Sequence, residues 1–174
     1  MSIGGRARAA AGSALFLVVA PGVVVGLIPW WLTGWELEEP LPGWTVARVV
    51  GAVLVIAGVA VLLNAFVRFV VEGIGTPAPV APTEHLVVGG LYRYVRNPMY
   101  LAVLAAILGQ ALLLGQVELL VYGAAVGAAV VSFVHWYEEP TLRRRFGAEY
   151  EAYCERVPGW FPRPPAPGKV TEKR

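Results

Sequence analysis

The chain has 174 residues, of which 57% are hydrophobic and only 15% are charged. Because soluble domains carry about 25% charged residues, this composition excludes a large soluble domain and a disordered chain. The single cysteine, Cys154, excludes a framework of internal disulfides, and a net charge of +2 is too small to indicate a nucleic-acid partner.

Four long stretches contain no charged residue, and they cover positions 9–35, 49–67, 97–117 and 119–137. A helix that crosses a bilayer needs about 20 predominantly apolar residues. The sequence therefore predicts an all-α integral membrane protein with four transmembrane helices, at about 10–32, 46–71, 98–115 and 117–137. We expect a single membrane domain, in which an N-terminal helix pair (10–71) precedes a segment over 73–160 and a flexible tail (161–174).

The first apolar stretch, from Ala9 to Leu32, is longer than the core of a signal peptide, which has about 7–15 residues. We therefore expect a retained span. Pro21 and Pro29 should kink this helix without ending it, because neighbouring helices can donate to the carbonyls that a proline leaves free. Three tryptophans lie near its end, where indole side chains prefer the membrane–water interface.

A connector over about 73–97 joins the second and third spans. At its end, Asn97 is predicted to cap the third span, with Pro98 in the first turn of the helix. The third and fourth spans should form a tight hairpin through Gly115. A separate amphipathic helix is predicted from about Pro140 to Arg156, on the membrane surface or against the ends of the spans. Its apolar face consists of Leu142, Phe146, Tyr150 and Tyr153.

The basic residues are distributed unevenly between the two sides that four spans define. Thirteen of the fourteen lysines and arginines lie at the N-terminus, between the second and third spans, or after the fourth span, and only Arg48 lies on the other side. Cytoplasmic loops carry an excess of lysine and arginine. The pattern therefore predicts that both termini are cytoplasmic and that the protein resides in the cell inner membrane.

Few polar side chains lie inside the predicted spans, and hydrogen bonds between helices are one explanation for each. They are Asn64, Gln110, Gln116, Ser132 and His135. The chain has no spacing typical of a zinc site, no GxGxxG and no P-loop lysine, so we expect no metal. The pair Glu138–Glu139 at the mouth of the fourth span has two interpretations: solvated acids in a first helical turn, or a site for a cationic ligand.

Two segments together carry a family resemblance. The sequence LVVGGLYRYVRNPMYL (86–101) is followed about 40 residues later by EEPTLRRRFGAEYEAYCERVP (138–158). Over about 80–160, the chain resembles the integral-membrane methyltransferases of the isoprenylcysteine carboxyl methyltransferase and phospholipid N-methyltransferase superfamily. The resemblance implies that a methyl group moves from S-adenosylmethionine to an amphipathic or lipid-like acceptor, such as an isoprenylcysteine-type carboxylate or a lipid amine.

The resemblance also implies a cofactor site on the cytoplasmic side, between the connector, the start of the third span and the glutamate after the fourth. Glu138 would pair with the cofactor's ammonium group. Arg93 or Arg96 could meet its carboxylate, an inference from charge and not from the family motif. The implied cofactor-binding residues are His85, Leu86, Val87, Val88, Tyr92, Arg96, Asn97, Pro98, Met99, Tyr100 and Glu138.

Fewer residues are candidates for catalysis. An amine or phenol acceptor would need deprotonation, for which His135 and Glu139 are nearest, and Arg156 could act from the terminal helix. The sequence departs from the family at Asn97, where a histidine is usual, and at Val134, where isoprenylcysteine enzymes carry an arginine. Two alternatives stay open: a non-enzymatic four-helix binding or transport protein, and a reductase or isomerase of the same fold.

Overall fold

The computed structural model describes residues 19–71 and 86–164, with side chains for all of these except 66–71. These residues form five helices and no strand. The helices are α1 (Val19–Thr33), α2 (Thr45–Val71), α3 (Pro98–Leu114), α4 (Glu118–Phe146) and α5 (Ala148–Arg156). A 3-10 turn, Gly90–Arg93, lies between α2 and α3. The all-α prediction is confirmed over the described residues.

Two of these helices are long and apolar enough to cross a membrane, namely α2 over Thr45–Ala65, and α4. The described part of α1 and the whole of α3 are apolar but shorter. Large apolar side chains such as Val49, Val53 and Ile56 are exposed on α2, as expected for a helix surface that faces lipid. The count of four spans, their orientation and the division of the chain into segments stay predictions.

The helix α1 runs through Pro29 without ending, and a π turn precedes that proline. Because Pro29 has no N–H, the carbonyls of Val24 and Val25 have no backbone donor at that position. Side chains from other helices take its place: Tyr122 Oη donates to the Val24 carbonyl (2.8 Å), and Gln110 Nε2 donates to the Val25 carbonyl (2.8 Å). The expectation that neighbouring helices satisfy the freed carbonyls is confirmed.

The helices α2 and α3 cross with their backbones almost in contact, because glycines occupy the crossing points. A Cβ atom added to Gly51 would lie 2.5 Å from the Leu113 backbone nitrogen, and one added to Gly109 would lie 2.8 Å from the Gly51 carbonyl oxygen. At Gly58 it would lie 2.7 Å from the Ala102 carbonyl oxygen. Small residues permit such an approach, and α2 thereby supports α3 along its length.

The hairpin between α3 and α4 turns at Gly115, as predicted, with a φ of +76° that favours glycine. The loop after α1 covers this turn. The Glu38 N–H donates to the Leu114 carbonyl (2.7 Å), and Gln116 Nε2 donates to the Glu36 carbonyl (3.1 Å). One backbone and one side-chain hydrogen bond therefore hold the loop over this end of the helices. We call the opposite end, where the 3-10 turn leads into α3, the connector end.

The structure corrects the predicted helix boundary at Pro140. A separate helix was expected to begin there, but α4 continues through Pro140 to Phe146. A π turn over Val134–Glu138 precedes the proline, and this widening accommodates both the missing N–H and the bulk of the ring. The helix ends instead at Gly147, whose φ of +50° favours glycine.

The predicted apolar face of the terminal segment is confirmed. Its residues pack in one cluster with Val157, and Leu86 of the connector packs against the same cluster. The face brings α5 and the end of α4 against the connector, whereas the sequence predicted the membrane surface or the ends of the spans. The residues of the face are Leu142, Phe146, Tyr150 and Tyr153.

Candidate cofactor-binding site

The described part of the connector, residues 86–97, is held in place by α5 and by the residues that follow α5. Its 3-10 turn begins at Gly90, where a φ of +57° favours glycine. Tyr153 Oη on α5 donates to the Tyr92 carbonyl (2.7 Å), and the Arg96 N–H donates to the Pro158 carbonyl (2.9 Å). The residues between the 3-10 turn and α3 are therefore fixed at the connector end.

Three side chains meet at this end and form what we call the acid pocket: Tyr92, Tyr100 and Glu138. Tyr100 Oη donates to Glu138 Oε2 (2.8 Å). Burial raises the pKa of the Tyr92 hydroxyl far above its usual range, and the charge of Glu138 raises it further. Glu138 is partly buried, and within 19–65 and 86–164 no basic side chain forms an ion pair with it. The pocket thus contains a carboxylate without a protein cation.

The neighbouring carboxylate lies in a different environment, the Arg96 cluster, which we define as Arg96, Glu139, Tyr150 and Cys154. Arg96 Nη1 lies 3.1 Å from Glu139 Oε1, and it donates to Cys154 Sγ (2.6 Å) and Tyr150 Oη (3.4 Å). Burial lowers the pKa of the Arg96 guanidinium, but Cys154, Glu139 and Tyr150 raise it by more. The Arg96 guanidinium therefore keeps its positive charge, and the cluster joins the connector to α4 and α5.

Asn97 occupies the N-cap position of α3, and Pro98 is the buried first residue of that helix, as predicted. The predicted cap itself is wrong, because the Asn97 side chain makes no capping hydrogen bond. Asn97 Nδ2 donates instead to the Gly159 carbonyl (3.0 Å). A tertiary contact with the segment after α5 thus replaces the local one. Met99 packs against the buried residues between α2 and α3.

The part of the chain from α2 to the start of α5 matches a known protein family. A family model described as phospholipid methyltransferase matches residues 46–149. The chain belongs to this family. The resemblance found in the sequence is confirmed. Membership of this family indicates a methyltransferase that acts on lipid-like substrates. The family and the two long apolar helices together indicate a membrane protein. The non-enzymatic alternative is not favoured. No curated protein and no solved structure matches the chain.

The structure brings three predicted cofactor-binding residues of this methyltransferase together in the acid pocket. Arg96, also predicted to bind the cofactor, lies instead in the Arg96 cluster, where it pairs with Glu139. Leu86 and Val87, just before the 3-10 turn, are partly buried, and Val88 is exposed. His85 lies outside the described residues.

Of the three residues predicted for catalysis, only Glu139 lies beside predicted cofactor-binding residues, where it pairs with Arg96. His135 is exposed on α4. Arg156 is exposed on α5, and its Nε donates to the Ala152 carbonyl of the same helix (2.9 Å). Among the described residues, no hydrogen bond, ion pair or ring contact joins His135 or Arg156 to the acid pocket.

Sequence reasoning missed the partners that α5 offers to the connector. The spacing of Tyr150 and Tyr153 predicts an apolar face, yet the hydroxyl of Tyr150 accepts from Arg96 and that of Tyr153 donates to a connector carbonyl. A signal was present in the sequence: Tyr150 and Cys154 are four residues apart, which places both polar atoms on one side of a helix.

Proposed function

We propose that this protein transfers a methyl group from S-adenosylmethionine to an amphipathic or lipid-like acceptor, and that the acid pocket holds the cofactor's cationic groups. Glu138 is the observation that carries the proposal. A carboxylate withdrawn from water without a counter-charge is unfavourable, and Glu138 has only the Tyr100 hydroxyl as a described partner. A cationic ligand would supply the missing charge.

The chemistry of the pocket fits this cofactor. S-adenosylmethionine carries two positive groups, an ammonium and a sulfonium. Glu138 can accept charge-assisted hydrogen bonds from the ammonium. The rings of Tyr92 and Tyr100 can attract the sulfonium, because an aromatic face is negative.

Backbone groups beside the pocket are also available to a ligand. Residues 86–88 have no regular secondary structure, and no backbone hydrogen bond links them to other described residues. We assign the N–H and carbonyl groups of Leu86, Val87 and Val88 to the cofactor. Ligand pockets combine a few such directed polar groups with apolar walls, and Pro98 and Met99 are assigned to the walls. His85 and Asn97 stay predicted cofactor contacts.

When bound, S-adenosylmethionine supplies an electrophilic methyl group for in-line displacement. The protein's part is to bind and orient. Glu138 and Tyr100 hold the charged end, while Arg96, as a positioning residue, fixes the connector that carries Tyr92. Positioning of this kind contributes about 7–11 kcal/mol in favourable cases. Because burial keeps Tyr92 protonated, Glu138 is the pocket's source of negative charge.

The acceptor atom decides whether a base is needed. A carboxylate can attack as it is, whereas a lipid amine must first lose a proton, for which Glu139 and His135 were the candidates. Glu139 is already paired with Arg96, and His135 is exposed. The geometry therefore favours an acceptor that needs no protein base, and Arg156 stays a candidate contact from α5.

The membrane arrangement belongs to the same proposal. We assign the protein to the cell inner membrane, with four transmembrane helices and both termini in the cytoplasm. The connector end carries Arg93 and Arg96, whereas the loop that covers the hairpin turn carries Glu36 and Glu38, in agreement with the positive-inside rule. The cofactor would enter from the cytoplasm and the acceptor laterally from the inner leaflet.

Calorimetric titration of S-adenosylmethionine into the detergent-purified chain tests the assignment. Glu138→Gln and Tyr100→Ala should each weaken binding by about tenfold or more, because a charge-assisted contact is lost. Glu149→Gln, at an exposed acid on α5, is the matched control and should bind as the unsubstituted chain does. Unchanged affinity in both pocket variants would remove the site assignment. Incubating membranes with methyl-labelled cofactor then shows whether lipid, small molecule or protein receives the label.

A further inference from the structure

An open, shallow cavity of about 430 Å³ lies between α2 and the 3-10 turn. None of the three acid-pocket residues lines it. From α2 it is lined by Ala60, Val61 and Asn64, and from the connector by Leu91 and Arg93 among others. Its walls are therefore largely apolar, and apart from the Tyr94 hydroxyl they contain two polar side chains, Asn64 and Arg93.

Those two side chains have no partner among residues 19–65 and 86–164. Arg93 is exposed and forms no ion pair there, in contrast to Arg96 in the same connector. Asn64 interrupts the apolar sequence of α2, and its amide forms no hydrogen bond there. A guanidinium with free donors beside an amide is suited to an anion that accepts several hydrogen bonds at once.

The cavity and the acid pocket share the 3-10 turn. Tyr92 belongs to the pocket, and the residues on either side of it, Leu91 and Arg93, line the cavity. A molecule bound in the cavity would therefore lie next to the segment that we assign to the cofactor. Methyl transfer requires the acceptor and the cofactor to lie close together, and a neighbouring position of this kind suits an acceptor.

The outer surface of α2 indicates what kind of molecule can reach the cavity. Val53, Ile56, Val59 and Leu63 expose 59%, 69%, 41% and 51% of their surface in the turns around Ala60. Such a surface accommodates hydrocarbon chains. An occupant with an anionic head at Arg93 and an apolar tail along α2 satisfies both features.

We propose that this cavity binds the anionic headgroup of the lipid acceptor, with Arg93 as its counter-charge and Asn64 as a second hydrogen-bond donor. The identification of the bound lipid as the methyl acceptor rests on the proposed methyltransfer. Binding of an anionic lipid headgroup in the cavity does not depend on that proposal, and we assign the anion to a lipid of the bilayer.

Binding of a soluble short-chain phosphatidic acid to the full chain in an uncharged detergent tests the proposal, with the diacylglycerol of the same chain length as the neutral control. The phosphate-bearing lipid should bind at least about tenfold more tightly than the neutral lipid, and Arg93→Gln should remove most of that difference. Arg163→Gln, at another exposed arginine, should leave the difference unchanged. Inorganic phosphate at equal concentration should not compete, because it has no apolar tail.

A second pair of variants tests the cavity without altering its charge. Ala60→Trp should fill the cavity and lower phosphatidic acid affinity by about tenfold, a change of the size expected when a binding pocket is blocked. Val46→Trp, at an exposed residue near the other end of α2 and outside the cavity lining, should not. Equal binding of the two lipids, or no effect of both Arg93→Gln and Ala60→Trp, would overturn the proposal.

Cofactor titrations on the same variants separate this proposal from the methyltransfer. Arg93→Gln should keep its affinity for S-adenosylmethionine. If it loses that affinity but still binds phosphatidic acid, Arg93 serves the cofactor's carboxylate and the lipid proposal is wrong. If the unsubstituted chain binds phosphatidic acid through Arg93 but binds no cofactor, the anion site stands and the proposed methyltransfer falls.

Discussion

The acid pocket and the Arg96 cluster are built on adjacent carboxylates, Glu138 and Glu139, that differ in almost every other respect. Glu139 pairs with Arg96 at 3.1 Å, in a cluster completed by side chains of α5. Glu138 is bound by the Tyr100 hydroxyl and by no protein cation among the described residues. One carboxylate has its counter-charge within the fold, and the other has none among the described residues, which is why we propose it as the contact for a cationic ligand.

Under the proposed function, these two neighbouring glutamates divide a structural role and a binding role between them. They are consecutive residues at the point where the π turn of α4 ends, and consecutive side chains of a helix point in different directions. Arg96 neutralises one carboxylate and joins α4 to the connector. The connector is thereby fixed while Tyr92 stays beside Glu138.

The largest effect on stability is expected from breaking the Arg96 cluster. Arg96→Ala leaves Glu139 unpaired and should lower the free energy of unfolding by about 2 kcal/mol, less than for a fully buried pair, because the two side chains keep exposures of 17% and 22%. Thermal unfolding in detergent measures it. Arg143→Ala, which removes a pair with exposures of 48% and 58%, should cost less than about 1 kcal/mol. Equal losses in both variants would contradict a structural role for the cluster.

A smaller effect should appear at alkaline pH. Burial raises the pKa of Tyr92 above the value of 10.0 that an unburied tyrosine has, and Glu138 raises it further. Above about pH 10 the unfolded chain loses this proton while the folded chain keeps it, so stability should fall as pH rises. Tyr92→Phe should make the unfolding temperature fall less between about pH 8 and about pH 11. Tyr94→Phe, at an exposed neighbour, should leave the decline as it was, and equal slopes in all three proteins would contradict the burial of Tyr92.

Much of the fold follows from local sequence patterns. The charge-free stretches predict where α2 and α3 lie, Gly115 predicts the hairpin turn, and the spacing of the aromatic residues predicts the face that α5 buries. The hydrogen bonds from other helices to the carbonyls near Pro29 also follow, because an unpaired backbone carbonyl in an apolar environment needs a donor. These features depend on residues that are close in sequence or on requirements of the backbone alone.

The contacts that shape the site depend on residues far apart in sequence. Asn97 has the side chain of a helix cap but binds the carbonyl of Gly159, 62 residues away. Pro140 has the signature of a helix start, but the preceding π turn lets α4 continue through it. The motif EEP does not show which of its two glutamates forms the ion pair with Arg96, because that depends on how α4 packs against the connector.

The central claim is that Glu138 binds the cationic amine of the cofactor, and a binding cycle tests it most directly. S-adenosylhomocysteine and its deaminated analogue would be titrated into the unsubstituted chain and into Glu138→Gln, with thermal unfolding to confirm that the variant is folded. Loss of the amine should weaken binding by about tenfold in the unsubstituted chain and by less than about twofold in Glu138→Gln, since the amine then has no carboxylate to meet. An equal loss in both proteins would show that Glu138 does not contact the amine.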